Sequence, residues 1–214
     1  MESSQRKYSF YFSIKRFFDI FLSFLAILLL SWLFILISLL VLIFNGYPIF
    51  YKDKRVGKNG KAICVLKYRT MYKNAEEKIE TYLTKEELEK WKTNRKLDND
   101  PRITKLGKIL RKTSIDELPQ LFNIFIGDMS IVGPRPIIEQ EHRDNYTEEQ
   151  RKVILSVRPG LISYWSVHGR SNVDYENGER QKLELEYFKH HSIWYDFWIV
   201  LSAIPAVLSG KGAK

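Results

Sequence analysis

The sequence contains a single cysteine, Cys64, so no disulfide can form within the chain, and nothing calls for an oxidising compartment. Its four histidines, His142, His168, His190 and His191, have no zinc-site spacing and read as ordinary core or surface residues. Internal repeats and low-complexity tracts are absent. Acidic residues are in short supply, with 25 Asp and Glu against 34 Lys and Arg, for a formal charge of +9. That imbalance suits phosphates, acidic lipid headgroups or nucleic acid, and charge alone does not choose among them. With 45% hydrophobic and 28% charged residues in 214, the bulk reads as one folded body rather than a disordered chain.

What is abundant lies near the N-terminus. Phe17 to Phe44 is almost wholly apolar, broken by Asp19, Ser23, Ser31 and Ser38. It exceeds the roughly 20 residues that cross a bilayer as a helix. It is too long for a cleaved signal peptide, and Asn45-Gly46-Tyr47-Pro48 after it is a turn rather than a cleavage site. Basic residues flank both ends, Arg6, Lys7, Lys15 and Arg16 before and Lys52, Lys54, Arg55, Lys58 and Lys61 after. A simple span should be asymmetric in Lys and Arg. Two readings stay open: a span, or a re-entrant helix returning to the face it left, with Ser31 as the central bending point. The boundary is set at 47, with residues 1–47 as a membrane-anchoring helix and 48–214 as a folded domain docked on the membrane.

Beyond the anchor, Ile49-Phe50-Tyr51, the Lys58–Lys61 turn and Ile63–Thr70 read as short strands, which puts Lys67 and Arg69 on one face. Lys73–Asn99 reads as solvated helix, closed by a turn at Asp98–Pro101. Ile103–Arg111, with Ile103, Leu106, Ile109 and Leu110 among basic residues, fits a helix on an anionic membrane surface or a surface helix packed on the core. Leu118–Ile126 reads as a buried helix ended by Gly127, Glu139–Val157 as one polar helix, and the aromatic Ile193–Leu208 as an interfacial helix. The fold class expected is mostly helical α+β with short strands.

The block Asp100–Pro136, DPRITKLGKILRKTSIDELPQLFNIFIGDMSIVGPRP, holds the chemistry. It sets the adjacent carboxylates Asp116 and Glu117 before a helix, with Arg102, Arg111 and Arg135 around them. The structural reading makes Asp116 the helix N-cap with Pro119 in the first turn, or Ser114 and Glu117 a capping box. On the chemical reading, the helix dipole and the arginines lower the Asp116 pKa, and the anion attacks phosphorus. Guanidinium groups and a Mg²⁺ ion would offset the charge of a diphosphate under attack, with Glu117 as the second carboxylate for the metal.

Five segments together resemble the bacterial sugar transferase family, the small monotopic polyprenyl-phosphate phosphoglycosyl transferases. They are Lys15-Arg16-Phe17-Phe18-Asp19, Lys67-Tyr68-Arg69-Thr70-Met71, the Asp100–Pro136 block, Arg158-Pro159-Gly160 and Val167-His168-Gly169-Arg170. The resemblance implies that Asp116 is the nucleophile taking the sugar phosphate from a UDP-sugar with release of UMP. Glu117 is then its Mg²⁺-associated partner and Arg111 a catalytic arginine. Lys67, Arg69, Arg102, Gln120, Arg135, Arg158 and Arg170 are assigned to substrate, and Lys15, Arg16, Asp19 and Ser31 to the membrane and lipid. Asp116 and Glu117 are the expected metal ligands. The acceptor is polyprenyl (undecaprenyl) phosphate at the cytoplasmic face of a bacterial inner membrane, in the first membrane step of a surface glycan, and the helix is re-entrant. A homodimer is left open, and nucleic acid is not expected. Two departures stand out: Ser31-Trp32 replaces the family's Ser-Pro, and Trp165-Ser166-Val167 lacks its glutamine. The competing readings are a metal-dependent glycosyltransferase releasing UDP and a non-catalytic membrane scaffold.

Overall fold

The computed structural model describes residues 2–75, 77–94, 97, 100–169, 173, 175, 177–190 and 192–208. It is a mostly helical α+β body with two two-stranded sheets. The apolar N-terminal run folds as two helices, α1 (Glu2–Leu29) and α2 (Ser31–Asn45). They meet at Leu30 with a bend of 64°. The break thus lies at the Leu30–Ser31 junction without any proline. No single described helix is long and apolar enough to cross a membrane, whereas this bent pair together reaches that length and composition.

Strands β1 (Phe50–Val56) and β2 (Ala62–Tyr68) pair antiparallel, Phe50 opposite Tyr68 and Val56 opposite Ala62. The turn between them carries Asn59 and Gly60 at positive φ, which suits both residues. The acidic and basic stretch after β2 forms two helices, α3 (Ile79–Tyr82) and α4 (Lys85–Asn94), rather than one.

Helix α5 (Lys105–Lys112) starts on the Thr104 side chain, which accepts the Gly107 N–H at 2.9 Å. The reading as a surface helix packed on the core holds. Leu106 and Leu110 pack against Phe34, Ile37 and Val41 of α2, while Ile109 faces outward beside Lys105, Lys108 and Lys112. Helix α6 (Gln120–Ile126) ends at Gly127, whose φ of 98° is the left-handed cap that glycine adopts freely. The expectation of a buried helix holds on one face only. Gln120, Asn123 and Ile124 are buried, whereas Phe122, Phe125 and Ile126 are exposed, beside α2 and α1.

Strands β3 (Ser130–Val132) and β4 (Gly160–Ile162) pair parallel. Between them the expected single helix is two, α7 (Glu139–Asn145) and α8 (Glu148–Ile154). The reason is local: Thr147 and Gln150 form a capping box that starts a new helix after Tyr146. The chain closes with α9 (Tyr164–His168), α10 (Glu179–Glu186) and α11 (Ile193–Leu208). Helix α11 displays Trp194, Phe197, Trp198, Leu201 and Ile204 on its outside.

Polar ties lock the N-terminal helices to this body at both ends. On α1, Lys15 pairs with Asp196 of α11 at 2.6 Å, and Tyr11 and Tyr187 donate to the same carboxylate. Asp19, buried, accepts from the Ser130 hydroxyl at 3.0 Å and from the Ile131 N–H at 2.9 Å. At the far end of α2, Arg69 donates to the carbonyls of Asn45 and Gly46, and the Asn45 amide returns a bond to the Arg69 carbonyl. Tyr68 donates to the Phe34 carbonyl at 3.0 Å, one turn into α2.

Candidate active site around Asp116 and Glu117

The site is built on a tight junction between α5 and α6. Gly107 lies so close to Thr70 that an added Cβ would meet the Thr70 carbonyl oxygen at 2.0 Å, so only glycine lets α5 seat there. Thr104 also donates its backbone N–H to that carbonyl at 3.0 Å. Thr70 is thereby fixed, and its hydroxyl accepts from Arg111 Nε at 2.9 Å. The chain then turns sharply through Ser114, a non-glycine residue in the left-handed region at φ 57°, into a 3₁₀ turn, Ile115–Glu117, that carries the dyad. Pro119 precedes the first residue of α6, where its missing N–H leaves no gap in the helix. Asn123 pins α6 to β2 by accepting from Leu66 N–H and donating to the Cys64 carbonyl, both at 2.8 Å.

Asp116 is therefore not the helix cap; no side chain caps α6. It is buried, and Glu117 beside it is half-buried. Lys67 stands near both, its Nζ 3.9 Å from Glu117 and 3.7 Å from Asp53. The expectation of a lowered Asp116 pKa is reversed. Burial, and then repulsion from Glu117, push it up to about 6, and attraction to Lys67 and Arg111 only moderates the rise. Burial likewise lowers Arg111, against the pull of Asp116 and Asp100. The sequence reading counted the arginines and the helix dipole and overlooked desolvation, which needs a structure to see.

Two adjacent carboxylates with no third His, Cys, Asp or Glu close enough among the described residues form a sparse donor set. Such a set suits Mg²⁺, which takes one or two protein carboxylates and fills the rest with water and phosphate oxygens. The raised Asp116 pKa, due in part to Glu117, marks a place where a cation relieves repulsion.

The other expected residues divide into two groups. Lys67, Arg111 and the dyad come together. Gln120, buried, begins α6 just after them. Arg135 lies between Pro134 and Pro136 with its guanidinium 5.3 Å over the Trp165 ring, and among the described residues it has no carboxylate ion-pair partner. Five arginines or lysines are instead engaged in internal bonds. Arg102 holds Asp100 through both carboxylate oxygens at 2.6 to 3.1 Å, and its face lies over Trp91. Arg69 caps α2, because β2 ends at Tyr68 and the expected shared face with Lys67 is lost. Arg16 donates to the Ile124 and Phe125 carbonyls and Arg158 to the Gly127 carbonyl, so together they cap α6 at its far end. Lys15 is in the Asp196 knot. Ser31 opens α2, and Arg170 lies outside the described residues.

Sequence reading missed Thr70 as the rest for Arg111, Asp53 beside Lys67, and Glu184 and Arg180 around Trp165. Only Thr70 carried a signal, since it adjoins the basic Lys67–Arg69 segment.

A sequence model of the bacterial sugar transferase family matches residues 10–210. The exopolysaccharide production protein ExoY of Rhizobium meliloti is 41% identical over 201 residues, covering 93% of this chain and 87% of that protein. An undecaprenyl-phosphate galactose phosphotransferase of Salmonella typhimurium is 38% identical over 202 residues, 94% of this chain and 41% of the relative. A UDP-glucose:undecaprenyl-phosphate glucose-1-phosphate transferase of Escherichia coli is 35% identical over 209 residues, again 94% of this chain and 41% of that protein.

Proposed function

The chain belongs to the bacterial sugar transferase family, and from that premise we propose that it moves a sugar 1-phosphate from a UDP-sugar to polyprenyl phosphate and releases UMP. The observation that carries the reading is a buried carboxylate, Asp116, set between Lys67 and Arg111 and crowded by Glu117. With its pKa at about 6, the carboxyl is mostly ionised at neutral pH yet poorly solvated, as a nucleophile should be.

In the first step an Asp116 oxygen attacks the phosphorus that bears the sugar. The bond from that phosphorus to the bridging oxygen breaks, and UMP leaves with the electron pair. In the second step the phosphate oxygen of the lipid attacks the same phosphorus, and the Asp116 carboxylate departs unchanged. Arg111, steadied by Thr70, and Arg135 are assigned to the phosphate oxygens, where charge must be neutralised for a carboxylate to approach. Asp116 and Glu117 would hold Mg²⁺, which when bound supplies further neutralisation of the diphosphate.

The membrane reading is re-entry, with the active site at the cytoplasmic face. Both ends of the bent helix pair dock on one body: Lys15, Arg16 and Asp19 at one end, Asn45 and Gly46 at the other. A helix pair that crossed to the far side would lose one set of these ties. Outward aromatic residues on α11 and the lysines of α5 suit the headgroup layer and anionic lipid.

Nucleotide product identity tests the proposal. Full-length protein in vesicles with polyprenyl phosphate, Mg²⁺ and a panel of UDP-sugars should release UMP with one of them. UDP as product decides for simple glycosyl transfer, and no nucleotide from any donor removes the enzymatic reading.

A further inference from the structure

Pro134 and Pro136 have no N–H, so Arg135 holds the one backbone donor of that three-residue stretch. It is spent on Glu184 of α10, whose Oε2 accepts at 3.2 Å from a side chain that is 3% exposed. Four residues earlier, on the same face of α10, Arg180 stacks its guanidinium 4.3 Å from the Trp165 ring centre and 4.1 Å from that of Tyr175. Trp165 is also the ring under the Arg135 guanidinium. Helix α10 therefore grips Arg135 twice: main chain through Glu184, side chain through a ring that Arg180 supports.

From these contacts we infer that Glu184 is a positioning residue for the sugar-phosphate donor, fixing the backbone from which Arg135 reaches the phosphates, with Arg180 as its accessory. The inference rests on the reading of Arg135 given under Proposed function. Packing alone does not account for Glu184. Its other oxygen, Oε1, has no hydrogen-bond partner among the described residues, a cost that an apolar side chain at the same place would avoid. Burial pushes the carboxyl up to about 7, and in either protonation state it keeps an oxygen for the Arg135 N–H. A glutamine would keep that acceptor as well; an alanine would not.

The test is steady-state UMP release by the full chain in vesicles, using the UDP-sugar that it turns over fastest, with thermal melting measured alongside. Glu184→Ala should raise KM for the donor about tenfold with kcat within about twofold, while Glu184→Gln stays within about twofold on both. Added to Arg135→Ala, Glu184→Ala should leave KM where the arginine variant put it, because the glutamate acts through that arginine. An unchanged KM in Glu184→Ala, an equal defect in Glu184→Gln, or full additivity with Arg135→Ala each overturns the inference. If Glu184→Ala does not fold, Arg180→Lys decides: about a threefold rise in KM supports the inference, and a wild-type KM overturns it. A wild-type KM in Arg135→Ala instead removes the reading of Arg135 on which the inference depends.

Discussion

The charges around Asp116 and those at the joints of the fold are both drawn out of water, yet they are treated in opposite ways. At the joints charged heads meet close partners. Arg102 grips Asp100 at 2.6 Å, Lys15 grips Asp196 at 2.6 Å, and Arg16 and Arg158 close the end of α6 on its own carbonyls. At the dyad, Lys67 stands off at 3.9 Å, Arg111 donates to a threonine, and among the described residues Asp116 accepts no hydrogen bond from a cation. A buried charge is tolerable when fully paired and costly when not. The joints use pairing for stability, and on the proposed function the dyad leaves attraction unspent for a charged substrate.

The largest effect that can break this comparison is at Asp116. Asp116→Asn should lower UMP release by about 10³-fold or more while the protein melts at the same temperature or higher, since a strained carboxylate is gone. A variant that is both inactive and unstable would put Asp116 among the joints.

Arg102→Ala should do the reverse. It leaves Asp100 buried and alone, at a cost of about 3–5 kcal/mol in stability, and activity should fall only with the folded fraction. Chemical denaturation and activity per folded molecule separate the two. Loss of Arg158 is milder: Arg158→Ala should cost about 1.5–3 kcal/mol, the range for a hydrogen bond from a charged donor. If it removes donor binding from a stable protein, the arginine belongs to the site after all.

Acid sharpens the contrast, because the two aspartates titrate with opposite sign. The Asp116 pKa is raised from 3.8 to about 6, so its protonated form favours the fold and this group's contribution to stability grows as pH falls between those values. On the proposed mechanism the same protonation removes the nucleophile, so single-turnover UMP release in wild type should decline as pH falls, with its midpoint at about 6 or, with Mg²⁺ on the dyad, below it. Asp100, held below the usual carboxylate range chiefly by Arg102 against its own burial, stabilises the fold above the ordinary carboxylate pKa and loses that effect as pH falls through its lowered value. The smallest expected change is Lys67→Met. Removing that positive charge should shift the single-turnover midpoint to higher pH and slow the rate about tenfold at pH 7. An unmoved midpoint would mean that Lys67 does not act on the dyad.

Much of this was legible in the sequence where local chemistry decides. Gly127 ended α6, the Lys58–Lys61 turn joined β1 to β2, and the contiguous dyad block kept Asp116, Glu117 and Arg111 together. What stayed hidden depends on contacts far apart in the chain. Arg69 left the Lys67 face because α2 needed a cap, and Arg16 turned to α6, 108 residues away. Glu184 and Arg180 sit in an undistinguished charged helix, and nothing short of the fold brings them to Trp165 and Arg135. Desolvation reversed the expected shift at Asp116 for the same reason.

The proposed mechanism requires Asp116 to carry the sugar phosphate between the two substrates. Protein incubated with its UDP-sugar and Mg²⁺, without lipid, and then digested and mapped by mass spectrometry should carry one sugar phosphate on the peptide containing Asp116, alongside one equivalent of UMP. Complete turnover once lipid is added, with that peptide never found modified or with the adduct on another residue, would contradict it.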